Sequence, residues 1–191
     1  MVDMFKDFKS KDSVVIVYTG EGKGKTSASI GLMCRALGTD WKVAYIQFVK
    51  AWEVGEHKFI HKIQDVFGDK LFLYKGGEGF YNAGDLSAKD KTEDDHKKAA
   101  LNTYNIALEA VSEGDYDVVI CDEINNSVND GLLSKDQLEK LIDAKHAKTS
   151  LCLTGRDFPE GLLDKVDIAT NMTKLRHHFD DKFLANKGID Y

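Results

Sequence analysis

Apolar positions along the chain fall into two alternating kinds of run. Short and nearly unbroken apolar stretches occur at Val14–Tyr18, Val43–Val49, Leu71–Tyr74, Tyr116–Asp122, Ser150–Thr154 and Ile168–Met172. Runs of that length without polar alternation suit strands covered on both faces. Between them apolar residues recur at helical spacing. The pattern predicts a helix over Lys25–Leu37 with Ile30, Met33, Cys34 and Leu37 inward, stopped by Gly38. A second helix follows a turn at Gly55-Glu56 within Lys50–Asp69, with Phe59, Ile60, Ile63 and Phe67 as its stripe.

Two later helices announce their own starts. Thr92-Glu-Asp-Asp95 is a capping-box variant opening a long helix to about Glu113, with Ala100, Leu101, Tyr104, Leu108 and Val111 facing in. Ser134-Lys-Asp-Gln137 repeats the device for a helix to about Lys145, with Leu138, Leu141 and Ile142 inward. Pro159, the single proline, suits the first turn of a short helix through Leu162, Leu163 and Val166. Asn125–Gly131 reads as a polar loop. Lys75–Asp90, with four glycines, reads as a mobile segment over a site. Met1–Asp12, polar around Phe5 and Phe8, is a docking segment or a frayed end.

Strands alternating with helices predict the α/β class with a mostly parallel sheet and helices on both faces, and the phosphate-loop pattern Gly20–Thr26 between the first strand and its helix makes that sheet P-loop NTPase-like (RecA-like). At 191 residues the expectation is one domain over 1–191. The net charge of −6 argues against a nucleic-acid or acidic-membrane partner. Cys34, Cys121 and Cys152 all fall in apolar runs and are expected to be reduced, buried thiols. With no leader pattern and no apolar run long enough to span a bilayer, the expected location is the cytoplasm. His57 and His61 share helical spacing, but no Glu follows the first, so a solvated face is expected rather than a metal site.

The chemistry is concentrated after the first strand. Thr19-Gly-Glu-Gly-Lys-Gly-Lys-Thr26 is a glycine-rich turn that leads into a helix. Such turns aim backbone N–H groups and a helix dipole at an anion. Lys25 supplies a charge for phosphates, and the Thr26 hydroxyl is placed to ligate Mg²⁺ or Mn²⁺. The pattern prefers a small residue at position 19, where this chain has Thr19. The strand at 116–122 closes on Asp122-Glu123, the Walker-B placement for acids that hold the metal or its waters. Lys25, Thr26, Lys50, the glycine loop, Asp122, Glu123 and Arg156 all follow strand ends, which is where ligands sit on such sheets.

With these motifs in place, the chain from about Val14 to Tyr191 resembles the P-loop ATP:corrinoid (cob(I)alamin) adenosyltransferases. The resemblance rests on Tyr18–Thr26, on Gln47-Phe-Val-Lys50 with Gly55-Glu56, and on Val119-Ile-Cys-Asp-Glu123. Leu153-Thr-Gly-Arg156 with Pro159 and the terminal Gly188-Ile-Asp-Tyr191 complete it. The family's loop reads T-G-x-G-K-G-K-T, so Thr19 belongs to the signature.

The resemblance implies that a Co(I) corrinoid attacks the 5′ carbon of ATP and displaces triphosphate, with ATP reversed relative to ordinary P-loop enzymes. It implies an ATP site of Thr19, Gly20, Glu21, Gly22, Lys23, Gly24, Lys25, Thr26 and Ser27, and a metal held by Thr26, Asp122 and Glu123. Lys25 and Arg156 support catalysis, and no protein nucleophile is implied. Arg35 is expected in a structural ion pair, and Arg176-His177 in a structural or ligand-contacting role. The family's Gly-Phe-Thr-Trp segment, which faces the corrinoid, reads Gly79-Phe80-Tyr81-Asn82 here, with Phe80 kept and Asn82 at the Trp position. A separate electron donor supplying Co(I) and a homodimer are also implied. Two other readings stay open from the motifs: a P-loop ATPase or small-molecule kinase, and a non-catalytic nucleotide- or corrinoid-binding module.

Overall fold

A computed structural model describes residues 6–50, 52–79 and 91–191. Among these residues six strands are present: β1 Val15–Thr19, β2 Val43–Gln47, β3 Leu71–Lys75, β4 Val118–Asp122, β5 Ser150–Thr154 and β6 Ile168–Asn171. They form one sheet in the order β3-β2-β4-β5-β1-β6, and every pairing is parallel. Five α-helices of the described residues connect them: α1 Lys25–Gly38, α2 Gly55–Phe67, α3 Glu93–Ser112, α4 Ile124–Asn129 and α5 Lys135–Asp143. This is the α/β, P-loop NTPase-like architecture expected from the alternation together with the phosphate-loop pattern.

The strand period of two divides the core between the faces of the sheet. Val15, Val17, Ala44, Ile46, Val119, Cys121, Leu151 and Leu153 point to the side packed with Ala107, Val111, Leu138 and Leu141 of α3 and α5. Ile16, Val43, Tyr45, Val118, Ile120 and Cys152 point to the side packed with Met33, Leu37 and Ile60 of α1 and α2. Because both faces are covered, β2, β4 and β5 are buried along their whole length.

Several local expectations are corrected. Gly38 is still helical, and the turn that ends α1 uses Asp40 at φ 70°. The Trp41 and Asp40 amides donate to the Ala36 and Leu37 carbonyls at 3.1 and 3.0 Å, the paired bonds of a Schellman stop. Asn125–Gly131 is not a loop, since residues 124–129 are helical and Ile124, Asn125 and Ser127 are buried. Phe59 and Leu101 are exposed, because the inner stripe of α2 runs through His57 and Ile60 and that of α3 through Ala100, Thr103, Tyr104 and Ala107. Cys34 is exposed, whereas Cys121 and Cys152 are buried. Arg35 lies in the last turn of α1 and makes no ion pair among the described residues. The segment after Pro159 is a 3₁₀ helix, Glu160–Lys165, that buries Leu162 and leaves Leu163 exposed.

Candidate active site

The strands' carboxyl ends converge on one mouth, and β5 lies between the strand that feeds the glycine loop and the strand that carries the acids. The loop from Gly20 to Gly24 turns with Gly20 at φ 99° and Gly24 at φ 110°, a region that disfavours any Cβ. It also rests on residues 171–173 so closely that a Cβ on Gly20 would lie 2.0 Å from Asn171 Oδ1, and one on Gly22 2.7 Å from the Met172 carbonyl oxygen. The Gly22 amide donates to that carbonyl at 2.6 Å. Thr19 has a definite job: its hydroxyl accepts from the Phe158 amide at 3.1 Å and ties the loop to the segment after β5. Ser27 is exposed on the first turn of α1.

Lys25 opens α1, and its ammonium donates to the Gly20 and Gly22 carbonyls at 2.6 and 2.8 Å. Burial, helped by Arg156, lowers its pKa from the ordinary lysine value. The next residue, Thr26, donates to Asp122 Oδ2 at 3.2 Å. Thr154, at the end of β5, donates to Asp122 Oδ1 at 2.7 Å and accepts from the Glu123 amide at 2.9 Å. Asp122 is fully buried, so its carboxylate orients two hydroxyls rather than meeting solvent. Glu123 sits in the left-handed region at φ 64° at the start of α4. Burial and the neighbouring Asp122 raise its carboxyl to about 7.

Lys50, beyond the end of β2, balances these acids. Its ammonium lies 2.8 Å from Glu56 Oε1, 3.8 Å from Glu123 Oε1 and 4.0 Å from Asp122 Oδ2. Burial works against its charge, but the three carboxylates outweigh that and raise its pKa. Arg156 Nη1 pairs with Glu21 Oε2 at 3.2 Å, with both side chains more than half exposed. Its backbone is pinned by Asn126 and Asn129, each through a 2.8 Å hydrogen bond. Beside the loop, Gly20, Glu21, Asp157, Asn171, Thr173 and Lys174 line a cleft of about 380 Å³.

The donor set matches a hard cation. Thr26, Asp122 and Glu123 offer only oxygen, as Mg²⁺ and Mn²⁺ prefer. Among the described residues no group of three or more His, Cys, Asp and Glu could hold a metal by itself. Mg²⁺ commonly completes its shell with water and substrate phosphates, so a partial protein set is what a nucleotide-borne metal needs.

A family model described as ATP:corrinoid adenosyltransferase BtuR/CobO/CobP matches residues 11–191. The chain belongs to that family. It is 30% identical over 184 residues to the corrinoid adenosyltransferase of Pseudomonas aeruginosa, covering 96% of this chain and 86% of that one. It is 26% identical over 179 residues to the corrinoid adenosyltransferase of Escherichia coli K12, covering 93% and 85%. The fold is similar to the flagellar accessory protein FlaH from Methanocaldococcus jannaschii, with a TM-score of 0.54 at 15% identity over 84% of this chain and 71% of that one. That last likeness concerns fold alone.

The mouth of this adenosyltransferase-family chain brings together the loop residues 19–27, Asp122, Glu123 and Arg156 named from sequence. Phe80, Tyr81 and Asn82 lie outside the described residues. Arg176 pairs with Asp181 at 3.4 Å, and His177 Nδ1 accepts from the Phe179 amide at 3.0 Å, both within the tail. His57 is not on a solvated face: it is fully buried, and its Nδ1 accepts from the Val54 amide at 3.5 Å. Burial, with Lys75 nearby, lowers its pKa to about 4. Sequence reasoning left Thr154 without a role and assigned Lys50 no partner. The signal for both was position, since Thr154 closes β5 and Lys50 follows the carboxyl end of β2.

Proposed function

We propose that this chain transfers the 5′-deoxyadenosyl group of ATP to the cobalt of a Co(I) corrinoid and releases triphosphate. The observation that carries the reading is the junction of loop, acids and Arg156 at one mouth, on a chain of this family. The corrinoid substrate's cobalt donates an electron pair to C5′ of the ribose. The Co–C bond forms as the C5′–O bond breaks, the cobalt is formally oxidised by two electrons, and the electron pair leaves with the triphosphate. The protein therefore supplies orientation and electrostatics rather than a nucleophile.

Residues Thr19 to Ser27 would hold the triphosphate, with Lys25 at the loop's rim. Arg156 would exchange Glu21 for a phosphate oxygen, an inexpensive trade for a pair in solvent. A Mg²⁺ or Mn²⁺ held by Thr26 and Glu123, with Asp122 behind them orienting the Thr26 hydroxyl, would offset charge growing on the leaving group. Phe80, Tyr81 and Asn82 would face the corrinoid, and a separate electron donor would supply Co(I).

We further read the chain as one domain acting in the cytoplasm. No helix of the described residues is long and apolar enough to cross a membrane. A homodimer is supported by exposed apolar side chains at Leu175, Phe179, Phe183, Leu184 and Ile189.

The test is incubation with ATP, Mg²⁺ and chemically reduced cobalamin, following the corrin spectrum and the phosphate products. An alkylated-cobalt spectrum with tripolyphosphate is expected. ADP and phosphate released without corrinoid dependence would overturn the reading.

A further inference from the structure

The terminal Gly188-Ile-Asp-Tyr191 turn has no part in the chemistry above, yet it lies against the phosphate loop. Asp190 Oδ1 is 2.8 Å from the ammonium of Lys23, inside the loop. The Asp190 side chain is only 5% exposed, whereas that of Lys23 is 56% exposed. A surface carboxylate answering a surface lysine would be free to turn away; this one is not. Its Oδ2 accepts from the Asn186 amide at 2.8 Å and faces His178 Nε2 at 3.6 Å. The turn closes on itself through the Asp190 amide to the Asn186 carbonyl at 2.8 Å and the Gly188 amide to the Tyr191 carbonyl at 2.9 Å. Lys23 and the Asn186 amide hold the Asp190 carboxyl down at about 2, so it stays anionic under any working condition.

On its other side the turn reaches the far wall of the mouth. The Tyr191 backbone lies 3.7 Å from the place a Cβ on Gly55 would occupy, at the first residue of α2. One short turn thus touches both the loop after β1 and the helix after β2.

We propose that Asp190 is a positioning residue for ATP: it fixes the Lys23 ammonium at the phosphate loop, so that the terminal turn forms part of the nucleotide site. The inference rests on the adenosyltransferase reading and deepens it. A lysine ammonium has three N–H donors. One donated to the rigid carboxylate orients the other two, and the side-chain entropy otherwise lost on gripping a phosphate is spent during folding. The carboxylate is already committed to its own turn, so it holds the amine without following it.

The test is a double-mutant cycle on ATP binding by calorimetry, with steady-state kinetics alongside. Asp190→Asn is expected to weaken ATP binding and raise its KM by about tenfold, the scale of one charge-assisted hydrogen bond. The KM for corrinoid should stay within about twofold, and Asp190→Glu should recover part of the loss. Lys23→Met should weaken ATP at least as much, and adding Asp190→Asn to it should cost nothing further. If Asp190→Asn does not fold, Lys23→Met against Lys23→Arg carries the test, because Lys23 is exposed and Arg can keep the pair. Equal ATP affinity in those two variants and wild type would overturn the proposal. So would an Asp190→Asn effect that persists undiminished on Lys23→Met. Failure of wild type itself to bind ATP would instead overturn the adenosyltransferase reading.

Discussion

Thr26 and Asp122 are 96 positions apart in the chain, and the hydroxyl of one donates to the carboxylate of the other at 3.2 Å. Thr154 reaches the second oxygen of the same carboxylate at 2.7 Å. Asp122 is therefore an acceptor for two hydroxyl donors. Asp122→Asn would place an amide opposite one of them and leave a buried donor unpaired, costing roughly 1–3 kcal/mol. Adenosyl transfer is expected to fall by about a hundredfold, the scale of losing one fixed electrostatic element of a site. Urea unfolding and the rate of Co–C bond formation read the two effects separately.

Lys25→Ala should abolish triphosphate binding while leaving the far-ultraviolet circular dichroism unchanged. Among the described residues the Lys25 side chain hydrogen-bonds only to the loop's own carbonyls, so the core does not depend on it. Calorimetry with ATP checks this. Normal turnover of ATP by the variant would remove the phosphate loop from the site.

Lys50→Met removes the cation that faces Glu56, Glu123 and Asp122. Taking one partner from a buried charge cluster costs roughly 3–5 kcal/mol. The variant's melting temperature should fall in buffer with chelator and recover in part with added Mn²⁺, which restores positive charge at the acids. A melt unaffected by Mn²⁺ would argue against a metal seat there.

His57 ties stability to pH. Its folded pKa of about 4 lies below the ordinary 6.5. Between those values the unfolded chain binds more protons than the folded one, so stability rises with pH across the window. The contribution is complete above about 6.5 and is lost on acidification toward 4. His57→Asn should flatten this part of the profile, leaving other acid effects in place. Urea midpoints at intervals from pH 4 to 7 make the comparison.

Gly20→Ala should be destabilising and should weaken ATP binding. The backbone at φ 99° disfavours a side chain by roughly 1–2 kcal/mol, and the new methyl would meet both Asn171 and the Met172 backbone. Thermal melts and ATP titration are expected to fall together, whereas Gly31→Ala, inside α1 with nothing within 4 Å, should leave ATP binding unchanged and raise the melt slightly, since Ala favours a helix interior over Gly by roughly 0.5–1 kcal/mol.

Much of this was legible in the chain because short-range chemistry dictates it. Capping boxes at Thr92 and Ser134 marked helix starts that the structure keeps, since a side chain three residues away can satisfy the first free amides. Ser150–Thr154 was read to the residue because a strand buried on both faces is continuously apolar between polar ends. Other features misled for equally physical reasons. The asparagines of α4 resembled a loop because propensity is weak beside the tertiary contacts that bury Ile124 and Ser127. Cys34 looked buried because spacing locates a helix face only to within about a residue, and the inner face of α1 runs through Ser29, Met33, Ala36 and Leu37.

By itself the sequence determined the class of fold, the phosphate loop and the paired acids, because each is written in consecutive residues whose local geometry makes the chemistry. Strand order was decided only in three dimensions. Nothing local says that β5 lies between β1 and β4, yet that placement carries Thr154 to both acids. The same holds for Lys50 among three carboxylates and for Asp190 against Lys23, which lies 167 positions earlier in the chain. Such pairings depend on which chain ends the sheet brings together, and charge or hydroxyl groups leave no periodic trace of a distant partner.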